Sequence, residues 1–332
     1  MRSKKRALGV GFVGGGFINR FHIRSWVGVR DADVAGIVDP DGKRAREAAA
    51  LAKGLKVGTP KIHKTLTDMV ADPAVDAIWI GSPNYTRLEV MEEIAHAVIS
   101  GKGELVGVSC EKPLGRNVRE AKKMLELVRK AGLLDGYLEN QVFSPAVVRG
   151  KEIVWARGAA LSGPPYLARA AEEHSGPHMP WFWEGTLQGG GVLNDMMCHS
   201  VEEARFMLTP PGASRDVLKP VSVSAYTNCL KWQEPRYAAA LARGSGGKTD
   251  YLKRPAEDFA RSLVEYKNTD GKTLIVETTT SWCYVGAGLR LSMELLGPEY
   301  ALQINTLDTG LKVFFSRAVK GKAGEDLVEK QN

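Results

Sequence analysis

From residue 7 to about residue 140 the chain alternates short apolar runs with stretches of helical periodicity, and this alternation restricts its fold severely. ALGVGFV reads as a strand and INRFHIRSWVGV as a helix. DVAGIVD is a second strand, followed by the Ala-rich helix GKRAREAAALAKG, which Gly54 is expected to end. AVDAIWIGS, ELVGVSCEKP and LLDGYLEN are further strands. Between them lie TRLEVMEEIAHAVIS, stopped by Gly101, and NVREAKKMLELVRKAG, stopped by Gly132. The strands are continuously apolar, as expected of strands covered on both faces. A mostly parallel, doubly wound α/β sheet meets that requirement, because each crossover helix lies over the sheet.

After about residue 145 the pattern changes. The helix PAVVRGKEIVWARG leads into strand-like YLARAAEE, a loop rich in Pro, His and Trp, and a helix opened by three glycines. VSVSAYTN, LVEYKNTDGKTLIVETTTSW, LRLSMELLG, ALQINT and LKVFFS follow, with NTDG as a hairpin turn. Successive strands with few helices between them predict an α+β region built on a mainly antiparallel sheet. PPGASRD and ALARGSGGKTD read as exposed loops. At 332 residues the chain exceeds one ordinary core. The expected domains are 1–143 and 144–332.

Composition narrows the function classes. Hydrophobic residues make up 44% and charged residues 25%, the balance of a soluble globular protein. Cys110, Cys198, Cys229 and Cys283 are scattered with no CxxC pair, which points to reduced thiols and a cytoplasmic location. The opening MRSKKRALGVGFVGGGFI is broken by glycines and lacks a small-residue cleavage site, so it is not read as a signal peptide. No window approaches the roughly 20 apolar residues of a membrane span. The net charge of +7 is dispersed among acids rather than gathered on one element, so no nucleic-acid partner is expected.

The first βα turn carries the first chemical signal. Gly14, Gly15 and Gly16 sit where strand should become helix, so backbone N–H groups there, with Phe17 and Ile18 behind them, can meet a pyrophosphate. In this register Asn19 takes the third fingerprint position, a departure expected to loosen helix-to-strand packing. Asp39 closes the second strand, where an acid binds the adenosine ribose and favours NAD over NADP. Lys43 and Arg44 follow closely and can soften that preference. The second signal is GGGVLNDMMCHS at 189–200. Its glycines imply close approach to the backbone, Asn194 can cap the helix, and Asp195 and His199 share one helical face.

Taken together, GGGFINRFH, VDP, GSPN, EKPLG and GGGVLNDMMCH resemble the Gfo/Idh/MocA oxidoreductases, the glucose–fructose oxidoreductase and inositol dehydrogenase family. The resemblance runs through the whole chain in order. It implies a Rossmann domain joined to a substrate-binding and oligomerisation domain with a large open-faced sheet, and nicotinamide lying between them. It implies a catalytic set of Lys112, Asp195 and His199. Ser82, Pro83 and Asn84 match the loop beside the cofactor, and Glu111 the residue near the nicotinamide ribose. Arg87 stands where many members have His, and Met197 where Gly is usual. A homo-oligomer, dimer or tetramer, fits such an open sheet.

These residue types suit alcohol oxidation, in which a base takes the hydroxyl proton as carbon loses hydride. His199 titrates in the useful range, while Lys112 can act as base or as a cationic donor on the oxygen. Asp195 can bind a second hydroxyl or orient either partner. EEHSGPHMPWFWEG at 172–185 offers His174, His178, Trp181 and Trp183, with Tyr85, Asn140 and Gln141, as a wall for a pyranose ring. Packing between domains is the alternative use for the two tryptophans. His174 and His178 are separated by Pro177 and lack a carboxylate triad, so no metal is expected. The resulting expectation is an NAD-dependent oxidoreductase acting on a ring hydroxyl of a sugar, cyclitol or glycoside. A retained-NAD glycosidase or transferase, and a non-catalytic cofactor-binding regulator, are the alternatives.

Overall fold

A computed structural model describes residues 6–285, 288–307, 310–317, 322 and 325–331. The chain divides into two compact units after Leu138.

The first unit is a six-stranded parallel sheet. Its strands are β1 (Leu8–Val13), β2 (Ala32–Val38), β3 (Lys61–Ile62), β4 (Ala77–Ile80), β5 (Gly107–Glu111) and β6 (Leu134–Leu138), in the order β3-β2-β1-β4-β5-β6. The order reverses between β1 and β4, and the carboxyl ends of strands at such a switch point form a ligand crevice. One face is covered through Phe12, Ile23, Trp26, Val34 and Ile37 against Ala45, Ala48 and Ala52. Ile78, Ile80, Met91, Ile94, Val108 and Met124 fill a second core.

Helix ends explain one correction. Gly101 and Gly132 adopt the left-handed conformation after their helices, with φ of 70° and 69°. Gly54 does not: the helix Gly42–Gly54 runs through it, and Lys56 takes the left-handed position at φ 58°. The two-residue β3 and the helix Leu66–Val70 went unforeseen, being too short to show a period.

The second unit is an eight-stranded sheet. Its strands are β7 (Leu167–Glu173), β8 (Lys219–Asn228), β9 (Phe259–Lys267), β10 (Thr273–Ser281), β11 (Arg290–Leu296), β12 (Tyr300–Asn305), β13 (Leu311–Ser316) and β14 (Glu325–Gln331). They lie in the order β14-β13-β12-β11-β7-β10-β9-β8. Only the β7–β10 pairing is parallel among these neighbours. Inward Val264, Leu274, Val276, Met293 and Leu295 meet Val147, Ile153, Ala204 and Met207 from the helices Pro145–Ile153 and Cys198–Leu208. The opposite face is polar, with Arg169 bridging Glu277 and Glu294 at 3.0 and 3.1 Å.

The NTDG turn behaves as expected. Asn268 Oδ1 accepts from the N–H groups of Asp270 and Lys272, and Gly271 sits at φ 76°. The segment ALARGSGGKTD is not one loop. Its first half completes the helix Pro235–Gly244, where AAALA supplies strong helix formers behind a first-turn proline. Among the described residues, no helix is long and apolar enough to cross a membrane.

Candidate functional site

The glycine turn is built for close approach. Gly14 leaves β1 at φ 100°, a conformation that disfavours any Cβ. A Cβ on Gly15 would lie 2.6 Å from the Arg44 carbonyl oxygen, whereas one on Gly16 would meet only open space. Gly16 is the N-cap of the helix Phe17–Ser25, which has no side-chain cap and no acid in its first turn. Its positive end is therefore left for a ligand, and these residues fit a dinucleotide pyrophosphate. Phe17 beside it is 76% exposed.

Asn19 does not loosen this packing. It is fully buried, and its Nδ2 donates to the carbonyl oxygens of Val13 and Gly14 at 2.8 and 2.7 Å. The missing bulk has moved to Gly81, where a Cβ would stand 2.0 Å from Asn19 Oδ1. Asp39 closes the turn from the side: its Oδ2 accepts the Gly15 N–H at 2.7 Å. The hydrogen bond and charge of Asp39 hold the Arg44 guanidinium above its ordinary pKa. Tyr85 lies within electrostatic reach of Arg44, so it stands toward the ribose end of this turn.

Arg87 organises the next two loops. It is 4% exposed, and its Nε donates to the Ser82 carbonyl at 2.9 Å. Its Nη1 donates to the carbonyls of Glu111, at 2.7 Å, and Pro113. The loop Ser82–Pro83–Asn84 after β4 is thereby tied to the EKP turn after β5. Thr86 Oγ1 adds a 2.9 Å bond to Ser82 Oγ, and Asn84 is buried. Glu111 is held by both oxygens: Oε1 pairs with His22 Nε2 at 2.7 Å, and Oε2 accepts the Lys112 N–H at 3.0 Å. Lys112, joined to Pro113 by a cis peptide, is thus carried on a turn fixed from two sides.

In the second unit the close approach expected at the three glycines is made at Gly191 by the chain itself. A Cβ on Gly191 would lie 2.1 Å from the Glu257 carbonyl oxygen. Glu257 Oε1 accepts the N–H groups of Gly191 and Leu193 at 2.6 and 3.2 Å, and its carbonyl accepts that of Val192 at 2.8 Å. At Gly191 the space beside the backbone is occupied by this segment of the chain. Glu257 also takes the capping role foreseen for Asn194, whose Nδ2 instead donates back to Gln188 O at 2.7 Å.

Leu193–Met197 forms a π turn before the regular helix Cys198–Leu208. Such insertions are frequent at functional sites, where they re-aim side chains. Asp195 is 5% exposed, accepts the Trp282 indole N–H at 3.2 Å, and stands 4.0 Å from His174 Nε2. Nδ1 of His174 accepts from Gly176 N–H, which leaves Nε2 to face the carboxylate. His199 is 4% exposed, and its Nδ1 is 2.6 Å from Glu139 Oε1. Glu139, Cys198 and His199 each bring a metal-ligating donor atom within 4.8 Å of the others. Cys198 Sγ, however, points along its own helix to the carbonyls of Asn194 and Asp195.

Behind His199 lie three buried carboxyls: Glu139, Glu172 and Glu203. Burial, reinforced by the charges of Glu172 and Glu139, pushes Glu203 up to about 8. Trp183 is removed from the expected substrate wall. It is 3% exposed and packs edge-on against Trp232, Tyr251 and Trp282 in the core of this unit. Trp181 is half-buried and stacks on Phe182 at 3.9 Å; Gln141 is buried, and Asn140 and His178 are exposed.

Sequence reasoning missed Glu139, Glu257, Glu203 and His22. Only His22 lay within a recognised motif, GGGFINRFH. Glu139 closes the apolar run LLDGYLEN, and an acid so placed at a strand end was its only local signal.

Two consecutive family models match the chain. Residues 8–136 match the oxidoreductase family with an NAD-binding Rossmann fold, and residues 160–302 the GFO/IDH/MocA C-terminal domain. Levoglucosan dehydrogenase of Pseudarthrobacter phenanthrenivorans is 26% identical over 64% of this chain and 54% of its own length. Myo-inositol 2-dehydrogenase of Thermotoga maritima is 26% identical over 60% of this chain and 54% of its own. The chain thus spans about half the length of the curated relatives it matches. A solved levoglucosan dehydrogenase, in complex with NADH and levoglucosan, superposes with a TM-score of 0.72 at 19% identity, over 97% of this chain and 80% of that one. At that identity the likeness speaks for the fold. With matches to both its parts in order, the chain belongs to the Gfo/Idh/MocA oxidoreductase family.

Proposed function

We propose that this protein is an NAD-dependent oxidoreductase that moves hydride between nicotinamide and a ring secondary hydroxyl of a sugar, cyclitol or glycoside. The observation that carries this reading is the buried pair of Glu139 and His199. A carboxylate at Nδ1 fixes the ring orientation, so Nε2 can take a hydroxyl proton. When bound, the nicotinamide supplies the hydride acceptor. The uncapped turn at Gly16 and the carboxylate of Asp39 are the features that hold its pyrophosphate and ribose. Ser82, Asn84 and Glu111, on loops tied by Arg87, would line the cofactor beyond them.

Lys112 is assigned as the cationic donor on the substrate oxygen, Asp195 as the acceptor for a second hydroxyl, and His199 as the base. His174, beside Asp195, and the half-buried Trp181 suit a polyhydroxylated ring with an apolar face. Levoglucosan and inositol, named in the relatives, belong to that chemical class. Residues 1–138 then serve the dinucleotide, and 139–332, which carry Glu139 and His199, the substrate and homo-oligomer assembly through the exposed sheet face. Lys112→Met tests the assignment. Turnover should fall about 10²- to 10³-fold, the cost of losing one preorganised donor, with NAD affinity held. Activity like that of the parent protein in this variant would remove Lys112 from the mechanism.

A further inference from the structure

Asp195 belongs to a closed circuit of hydrogen bonds. Its Oδ2 accepts the indole N–H of Trp282 at 3.2 Å, and the Trp282 backbone N–H donates to Asp258 O at 2.8 Å. Next to Asp258 stands Glu257, whose Oε1 accepts the N–H groups of Gly191 and Leu193 at 2.6 and 3.2 Å, and whose carbonyl accepts that of Val192. These residues open the π turn Leu193–Met197, which carries Asp195 and closes the circuit. Both supports are themselves fixed. Asp258 is fully buried, and its carboxylate accepts the N–H groups of Leu230, Lys231 and Trp232 at 2.7, 2.9 and 2.8 Å. Trp282 is fully buried too, and its carbonyl accepts Trp232 Nε1 at 2.9 Å.

We propose that Glu257 is a positioning residue for Asp195, acting by pinning the start of the π turn that carries it. The functional part of the proposal rests on the reading of Asp195 as the acceptor for a second substrate hydroxyl. The turn runs between two held ends: Glu257 grips residues 191–193, and beyond it the helix Cys198–Leu208 is buried along His199, Ala204, Met207 and Leu208. Relaxing such a turn to ordinary α-helical winding rotates what precedes it by roughly 100° against the helix behind. With the start pinned that rotation is blocked, and Asp195 stays against Trp282. A carboxylate suits the task, because one oxygen takes two N–H groups and its charge complements the positive end of the turn. Glutamine retains the acceptor oxygen without the charge, and alanine retains neither.

The indole N–H resonance of Trp282, assigned in the full chain through Trp282→Phe, reads this contact without cofactor or substrate. Asp195→Ala gives its position with the carboxylate removed. Glu257→Ala should move the resonance toward that position, Glu257→Gln should move it less far, and in the Asp195→Ala background Glu257→Ala should add little. With a ring substrate in hand, Glu257→Ala should raise KM about tenfold, in the range for losing a hydrogen bond to a charged group, with a smaller fall in kcat. An analogue lacking the hydroxyl that Asp195 accepts should show no such rise. A Trp282 resonance at its parent position in folded Glu257→Ala overturns the proposal, whatever the melting temperature. So does an equally large further shift in the Asp195→Ala background. If the resonance moves as expected but KM for the analogue rises as much as for the substrate, Glu257 positions Asp195 and the hydroxyl reading of Asp195 fails. Glu257→Asp, which shortens the reach and retains the charge, gives the same comparison in place of an alanine variant that does not fold.

Discussion

Glu139 Oε1 lies 2.6 Å from Nδ1 of His199, and both side chains are buried. The carboxylate fixes which ring nitrogen faces outward and holds the ring in place as His199 accepts a proton. Glu139→Gln keeps the size and removes the charge. Its kcat should fall about 10²-fold, within the usual contribution of a positioned acid–base group, while KM and melting temperature change little. Steady-state kinetics beside a thermal melt would check this; a fall in stability alone would make Glu139 a packing residue.

Gly191 is a packing requirement imposed by Glu257. Gly191→Ala would drive a Cβ to within 2.1 Å of the Glu257 carbonyl oxygen, where both partners are backbone. A loss of about 1–3 kcal/mol is expected, the range for overpacked cores, readable by chemical denaturation. An undisturbed midpoint would mean that the segment around Glu257 is not held against the helix start.

Glu203 gives stability a dependence on pH. Its folded pKa of about 8 lies above the ordinary 4.5. The neutral acid therefore stabilises the fold fully below pH 4.5, and that contribution is lost as pH rises toward and through 8. Glu203→Gln, which mimics the neutral form, should melt like the parent protein near pH 4.5 and above it at pH 8 to 9. Parallel melting curves across that range would show that Glu203 does not carry the dependence.

The first unit was legible because its information is local. Apolar runs, helical periods and left-handed glycines at 101 and 132 lie within a few residues of what they specify. The turn after Gly54 was misplaced by two residues because Lys56, rather than a glycine, accepts a positive φ. In the second unit the decisive pairs are distant: Glu139 with His199 across 60 positions, and Glu257 with Gly191 across 66. No periodicity records such a pairing. The three glycines correctly announced a close approach at 191, but the sequence alone did not show that the approaching group is the chain itself. Trp183 was misread for a related reason, since its partners Trp232, Tyr251 and Trp282 lie far along the chain.

The most direct measurement is a spectrophotometric screen for NADH formation by the purified protein with NAD and a panel of monosaccharides, inositols, glycosides, hydroxy acids and simple diols. NADH should accumulate with one or more of the polyhydroxylated ring compounds and not with the hydroxy acids or diols. Reduction driven by the hydroxy acids or diols alone would contradict the assignment of the substrate class, and an absence of NADH with every compound would contradict net dehydrogenation of these compounds.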